Sequence, residues 1–129
     1  MDTRAAIEAV LDKAYAARRA EDAGAVAACF CEDGQFKANG WPTAARTHAE
    51  RHSAVKDLFA AFALLEMHLH CRIIDPPRAV VHWRGKFRAQ NGQVGDTDVL
   101  DLIEVRDGKI ASLTTFFDTG YAAALSAPA

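Results

Sequence analysis

Apolar side chains recur at helical spacing near the start of the chain. Ile7, Val10, Leu11, Ala14 and Tyr15 form one stripe within residues 3–21, with charges on the opposite side. Asp22 is placed to cap a second, short Ala-rich helix that runs to about Phe30 and is ended by Glu32-Asp33-Gly34. A brief strand over Gln35–Ala38 leads into a loop at Asn39-Gly40-Trp41-Pro42. Thr47-x-x-Glu50 is a capping box, and the helix it opens has Val55, Leu58, Phe59, Phe62 and Leu65 on its buried stripe. The period then changes to two. Strands are predicted over 67–74, 79–90, 96–106 and 109–118, divided by Asp75-Pro76-Pro77, Asn91-Gly92 and Asp107-Gly108. Helices first and an antiparallel meander afterwards define an α+β class with the helices on one sheet face.

Turn chemistry extends this to a register. A two-residue turn at Asp107-Gly108 pairs Arg106 with Lys109, which sets Asp101 opposite Thr114 and Val99 opposite Phe116. Asp101 shares a face with Val99, Ile103 and Val105, and a carboxylate in such company is costly to bury unless something satisfies it. A two-residue turn at Asn91-Gly92 sets His82 opposite Asp101, and an even register across the Pro-Pro connection sets His70 opposite His82. The expected row across the sheet is His70, His82, Asp101 and Thr114, with Val81, Trp83, Leu100, Leu102 and Leu113 on the other face. A single bulge reverses these facings beyond it.

The 129 residues make one domain over 1–125 with a frayed tail at 126–129. A net charge of −2 gives no electrostatic case for nucleic acid or an anionic membrane. No apolar run reaches spanning length and the N-terminus lacks a signal-peptide layout, so a cytoplasmic location is expected. Cys29, Cys31 and Cys71 have no metal-type spacing and read as reduced thiols. His68, His70 and His82 are the strongest metal-ligand candidates, but Arg72, Arg84 and Lys86 on that strand face repel a divalent ion, and no metal site is assigned. These cations read instead as a solvated rim or as a pocket for a carboxylate-bearing ligand. No nucleotide, flavin or other cofactor motif is present.

The order of elements and the segment DLIEVRDGKIASLTTFFD resemble the nuclear-transport-factor-2-like superfamily, which includes SnoaL-like cyclases, ketosteroid isomerases, scytalone dehydratase and small dioxygenase subunits. The resemblance covers about residues 3–122 and implies a cone-shaped (cystatin-like) fold, three N-terminal helices packed on a curved antiparallel sheet. Within it, the ketosteroid isomerase phenol falls on Tyr15 in AVLDKAYAARRAED, and the acidic oxyanion-hole partner falls on Asp101 in VLDLIEV. The base of that family falls on Ala38, so the oxyanion half matches and the base does not. What the resemblance implies is a cofactor-independent isomerase, dehydratase or cyclase type of activity, or a plain binder.

His82 beside Asp101 supplies an alternative base: Asp101 orients the imidazole, His82 abstracts a proton, and Tyr15 hydrogen-bonds the substrate oxygen. An aspartate paired with His82 is ionised whereas an oxyanion-hole aspartate is protonated, so the two roles exclude each other in one state. Structural readings stand beside these. Tyr15 fits a core residue with a satisfied hydroxyl, Asp101 fits an anchor for Thr114, Tyr15 or a backbone amide, and His82 fits a solvent-side position. The expected cavity is lined by Tyr15, Phe30, Phe36, Trp41, Phe59, Phe62 and Phe116, with His52, His70 and Thr114 in reach, and favours a small apolar or ring-containing ligand. Three helices cover only one sheet face, which predicts a homodimer through the outer one. The leading function is acid–base catalysis on a small organic molecule. The runner-up is a non-catalytic ligand-binding or assembly module, such as the small subunit of a larger oxygenase.

Overall fold

The computed structural model describes residues 2–128. Thr3 Oγ1 accepts from the Ala6 amide and starts α1 (Arg4–Arg19), whose stripe of Ile7, Val10, Leu11, Ala14 and Tyr15 is buried against the sheet. Each large aliphatic in that stripe contributes about 1.5–3 kcal/mol by leaving water. Asp22 caps the short α2 (Ala23–Ala28), and β1 (Phe30–Ala38) follows directly. The reading of Glu32-Asp33-Gly34 as a helix terminator is corrected here. Those residues form an irregularity within β1, between Phe30 paired with Ile110 and Gln35 paired with Ser112. Gly34 is required there, because a Cβ would come within 2.8 Å of the Ile110 carbonyl.

The Thr47–Glu50 capping box opens α3 (His48–Ala61) as expected. That helix ends sooner than its apolar stripe predicts. Phe62 already has extended backbone and begins β2 (Phe62–Asp75), so Phe62 and Leu65 belong to a strand. The run Phe62-Ala63-Leu64-Leu65 satisfies either period, and pairing with β3 (Arg78–Ala89) decides it. β4 (Val94–Arg106) and β5 (Lys109–Phe117) complete a five-stranded sheet of order β1-β5-β4-β3-β2. All neighbours are antiparallel except β1 and β5, which run parallel. A fourth helix, α4 (Thr119–Leu125), absent from the sequence expectation, is capped by Asp118. Asn91 Nδ2 donates to the carbonyls of Leu125 and Ala127 at 2.8 and 2.7 Å, which ties the end of α4 to the β3–β4 turn.

Two turn details reset the register. At Asp107-Gly108 both residues have positive φ, as a two-residue hairpin demands, and Arg106 does pair with Lys109. A bulge at Ala111 then shifts every later pair by one, so Asp101 lies opposite Thr115 rather than Thr114. At the β3–β4 turn the loop has three residues, Gln90-Asn91-Gly92, closed by the pair Ala89 and Gln93 with Gly92 at positive φ. Asp101 is therefore opposite Val81, and His82 is opposite Leu100. This overturns the expected row. Val81, Trp83 and Leu113 join Asp101 on the helix face, whereas His82, Leu100, Leu102, Thr114 and Phe116 lie on the outer face. His70 also falls outside, in a bulge of β2, with its ring centroid 5.0 Å from that of His82.

Candidate active site beneath the fourth helix

Asp101 is 1% exposed and is satisfied through one oxygen. Its Oδ2 accepts from the Tyr15 hydroxyl, carried in by α1, and from Trp83 Nε1 at 2.9 Å, carried by the neighbouring strand. Oδ1 has no hydrogen-bond partner, and neither does the buried Oγ1 of Thr115 on the strand to the other side. Directly paired residues on one face have Cβ atoms about 5 Å apart, so the two unpartnered oxygens belong to one buried polar spot. Burial, first, and the adjacent Asp101 carboxyl, second, hold the Tyr15 phenol well above the ordinary tyrosine range.

Next to this spot lies a cavity of about 60 Å³ between α1, α3, α4 and the sheet. Thr115 forms part of its wall, with Phe59, Phe62, Phe87, Val99 and Phe117 supplying an apolar surround. Thr97, Tyr121 and Arg18 add the polar groups. Gly95 lets α4 approach, because a side chain there would collide with the Tyr121 hydroxyl. Arg18 leaves the last turn of α1 and its guanidinium lies 5.0 Å from the centre of the Trp83 ring.

Tyr15 and Asp101 are thus brought together, and His82 is not brought to them. His82 Nε2 sits 3.1 Å from Asp98 Oδ1, and Arg84 holds the other oxygen of Asp98 at 3.0 Å. The hydrogen bond from His82, then the Arg84 charge, keep the Asp98 carboxyl below its usual range. Phe59 and Phe62 line this cavity. Phe36 and Trp41 instead stack edge-to-face at 5.6 Å within the core, where Phe36 also meets Phe30. His52 is exposed on α3, and His70, Thr114 and Phe116 lie on the outer face, so none of these four reaches the cavity. Among the described residues, no three His, Cys, Asp or Glu side chains are placed to hold a metal ion.

Sequence reasoning missed Trp83, Thr115 and Arg18. The first two were lost to the register shifts. Arg18 carried a legible signal, since it continues the Leu11–Ala14–Tyr15 stripe by one helical step. Arg51 was missed as well. It is 1% exposed, and one guanidinium nitrogen donates to the carbonyls of Glu32, Gly34 and Arg46 at 3.2, 2.8 and 3.2 Å, fastening α3 to the irregular start of β1.

A curved sheet folded over helices around a small cavity defines a cone-shaped α+β ligand-pocket domain. The SnoaL-like domain model matches residues 11–113, and the chain belongs to that family. Solved structures agree in fold. A candidate SnoaL-like polyketide cyclase from Jannaschia sp. CCS1 superposes with a TM-score of 0.82 at 19% identity, covering 96% of this chain and 93% of that one. A protein of ketosteroid isomerase-like fold from Catenulispora acidiphila DSM 44928, in complex with trimethylamine, gives 0.80 at 12% identity over 91% of both chains. An epoxide hydrolase of the LEH-like type from M. tuberculosis gives 0.69 at 17% identity, covering 86% and 81%. At these identities the likeness is one of fold. No curated protein matches the chain. Among the described residues no helix is long and apolar enough to cross a membrane.

Proposed function

We propose that this domain binds a small, mostly apolar organic molecule in the cavity beneath α4. The observation that carries the reading is a cavity walled mainly by Phe59, Phe62, Phe87, Val99 and Phe117, with Thr97, Thr115, Tyr121 and Arg18 as its few polar members. A buried hydroxyl left without a partner costs about 1–3 kcal/mol; the Thr115 oxygen is closed off just behind the cavity wall, and a ligand polar atom that displaces that wall would recover the cost. The volume holds about four to six water-sized groups, which sets the scale of the ligand's buried part. Titration of ¹⁵N-labelled protein with cyclopentanone is expected to shift the Thr115 and Trp83 indole resonances. Ala122→Trp, which fills the cavity from α4, should remove those shifts. Shifts confined to the outer sheet face, or unchanged in the filled variant, would defeat the reading.

Acid–base catalysis is the second reading, favoured by the unpartnered Oδ1 of Asp101 beside that hydroxyl. His82 has no place in it, since the imidazole is across the sheet. Wild-type protein would then accelerate deuterium uptake at the α-carbons of cyclopentanone. Asp101→Asn would abolish this and His82→Gln would not. No acceleration by the wild type leaves binding alone.

The molecule is further proposed to be a homodimer through the outer sheet face. Leu100, Leu102 and Phe116 stay 42, 44 and 41% exposed there, an adjacent apolar group that a monomer would leave in water.

A further inference from the structure

Arg18 is half-buried, faces the cavity and, among the described residues, has no carboxylate within 4.0 Å of its guanidinium. Among the described residues it is the only Lys or Arg on the cavity wall, and no Asp or Glu shares that wall. The Arg18 guanidinium carbon lies over the Trp83 ring, 5.0 Å from its centre, a cation–π contact that uses none of its hydrogen bonds. A guanidinium placed over an aromatic ring, with its five N–H groups free of acid partners and its residue on the wall of a mainly apolar chamber, matches a planar anion bidentately. Phe59, Phe62, Phe87 and Phe117 make most of the remaining wall apolar, with Thr97, Thr115 and Tyr121 as its uncharged polar members.

From this juxtaposition we infer that the ligand is a small carboxylic acid, bound as its anion. Arg18 takes the carboxylate, and the hydrocarbon body enters the phenylalanine-lined chamber toward Thr115. This rests on the cavity reading above and adds the charge of the ligand to it. A cation at the last turn of a helix also has a purely structural use, through the helix dipole and the Trp83 ring, and that use makes no distinction among ligands.

Charge discrimination therefore provides the test. Butyrate, butyramide and butylamine have similar bodies and differ in charge, and their affinities are read from ¹⁵N shifts of the intact chain. The wild type is expected to bind butyrate about tenfold tighter than butyramide and to reject butylamine. Arg18→Met should bring butyrate down to the butyramide level while leaving butyramide unchanged, and Arg18→Lys should restore part of the preference. Equal binding of butyrate and butyramide by the wild type, or a preference that survives Arg18→Met, would overturn the carboxylate inference and leave the cavity reading standing. Butylamine binding as well as butyrate would overturn it too. Failure of all three probes would remove both. If Arg18→Met does not fold, the wild-type order of the three probes still decides.

Discussion

Tyr15 and Trp83 donate to the same oxygen of Asp101, one from the first helix and the other from the middle of the sheet. Three distant parts of the chain thus meet on one buried atom. Removing the acceptor should hurt more than removing either donor. Asp101→Leu strands a phenol and an indole N–H, at a cost of about 2–5 kcal/mol, whereas Tyr15→Phe should cost about 1–2. Asp101→Asn keeps the accepting oxygen but sets an unpartnered NH2 group where Oδ1 was, and should fall between the two. Urea unfolding of the set checks the order, and a mild Asp101→Leu would contradict it.

The same phenol makes stability depend on alkaline pH. Its folded pKa is raised, so its contribution is complete below the unfolded tyrosine value of about 10. Above that, the unfolded chain releases the proton while the folded chain retains it, and stability falls until pH passes the folded value. The gap in unfolding free energy between wild type and Tyr15→Phe should narrow from about pH 8 to about pH 11. A constant gap would show that Tyr15 titrates alike in both states.

Thr115→Val separates binding from folding. It removes an unpartnered buried hydroxyl at nearly constant volume, so the free protein should be unchanged or up to about 1 kcal/mol more stable. Affinity for a ligand with a polar head should nevertheless drop. Loss of stability with unchanged affinity would mean that the hydroxyl serves the fold.

Arg51→Met should destabilise by about 2–4 kcal/mol, far more than an ordinary helix-surface arginine, because three carbonyls lose one shared donor. Thermal unfolding compared with Lys56→Met, an exposed position on the same helix, provides the control.

For the outer face, sedimentation at micromolar concentration should give a dimer for the wild type and a monomer for Leu102→Asp, both with native circular dichroism. A monomeric wild type ends the dimer proposal.

Elements with chemical punctuation were legible in advance. The Thr47–Glu50 box, the positive-φ turn at Asp107-Gly108 and the Ile7–Tyr15 stripe all form as their residues dictate. So was the Tyr15–Asp101 meeting, through the family resemblance. What failed was propagation of register. A third loop residue at Gln90 and a bulge at Ala111 each displace pairing by one, and a side-chain period of two converts each displacement into a change of face. Neither irregularity has a local sequence signature. The α4 helix escaped notice because seven small and apolar residues carry little periodicity of their own, and its position depends on Asn91 and Gly95 far back in the chain.

The Ala111 bulge also decides which member of each doublet in Thr114-Thr115-Phe116-Phe117 turns inward. Because each doublet is chemically self-identical, a strand slipped by one position would present the same hydroxyl and the same ring to the interior. The chamber's chemistry is written twice, and only the neighbouring Ser112 and Leu113 tell the two alignments apart. Deleting Ala111 takes out the extra residue itself, so Ser112 stays opposite Glu104 and Leu113 opposite Ile103, and recognition of the cyclopentanone probe should be spared. Loss of recognition in a folded deletion variant would show that the bulge shapes the chamber beyond setting its register.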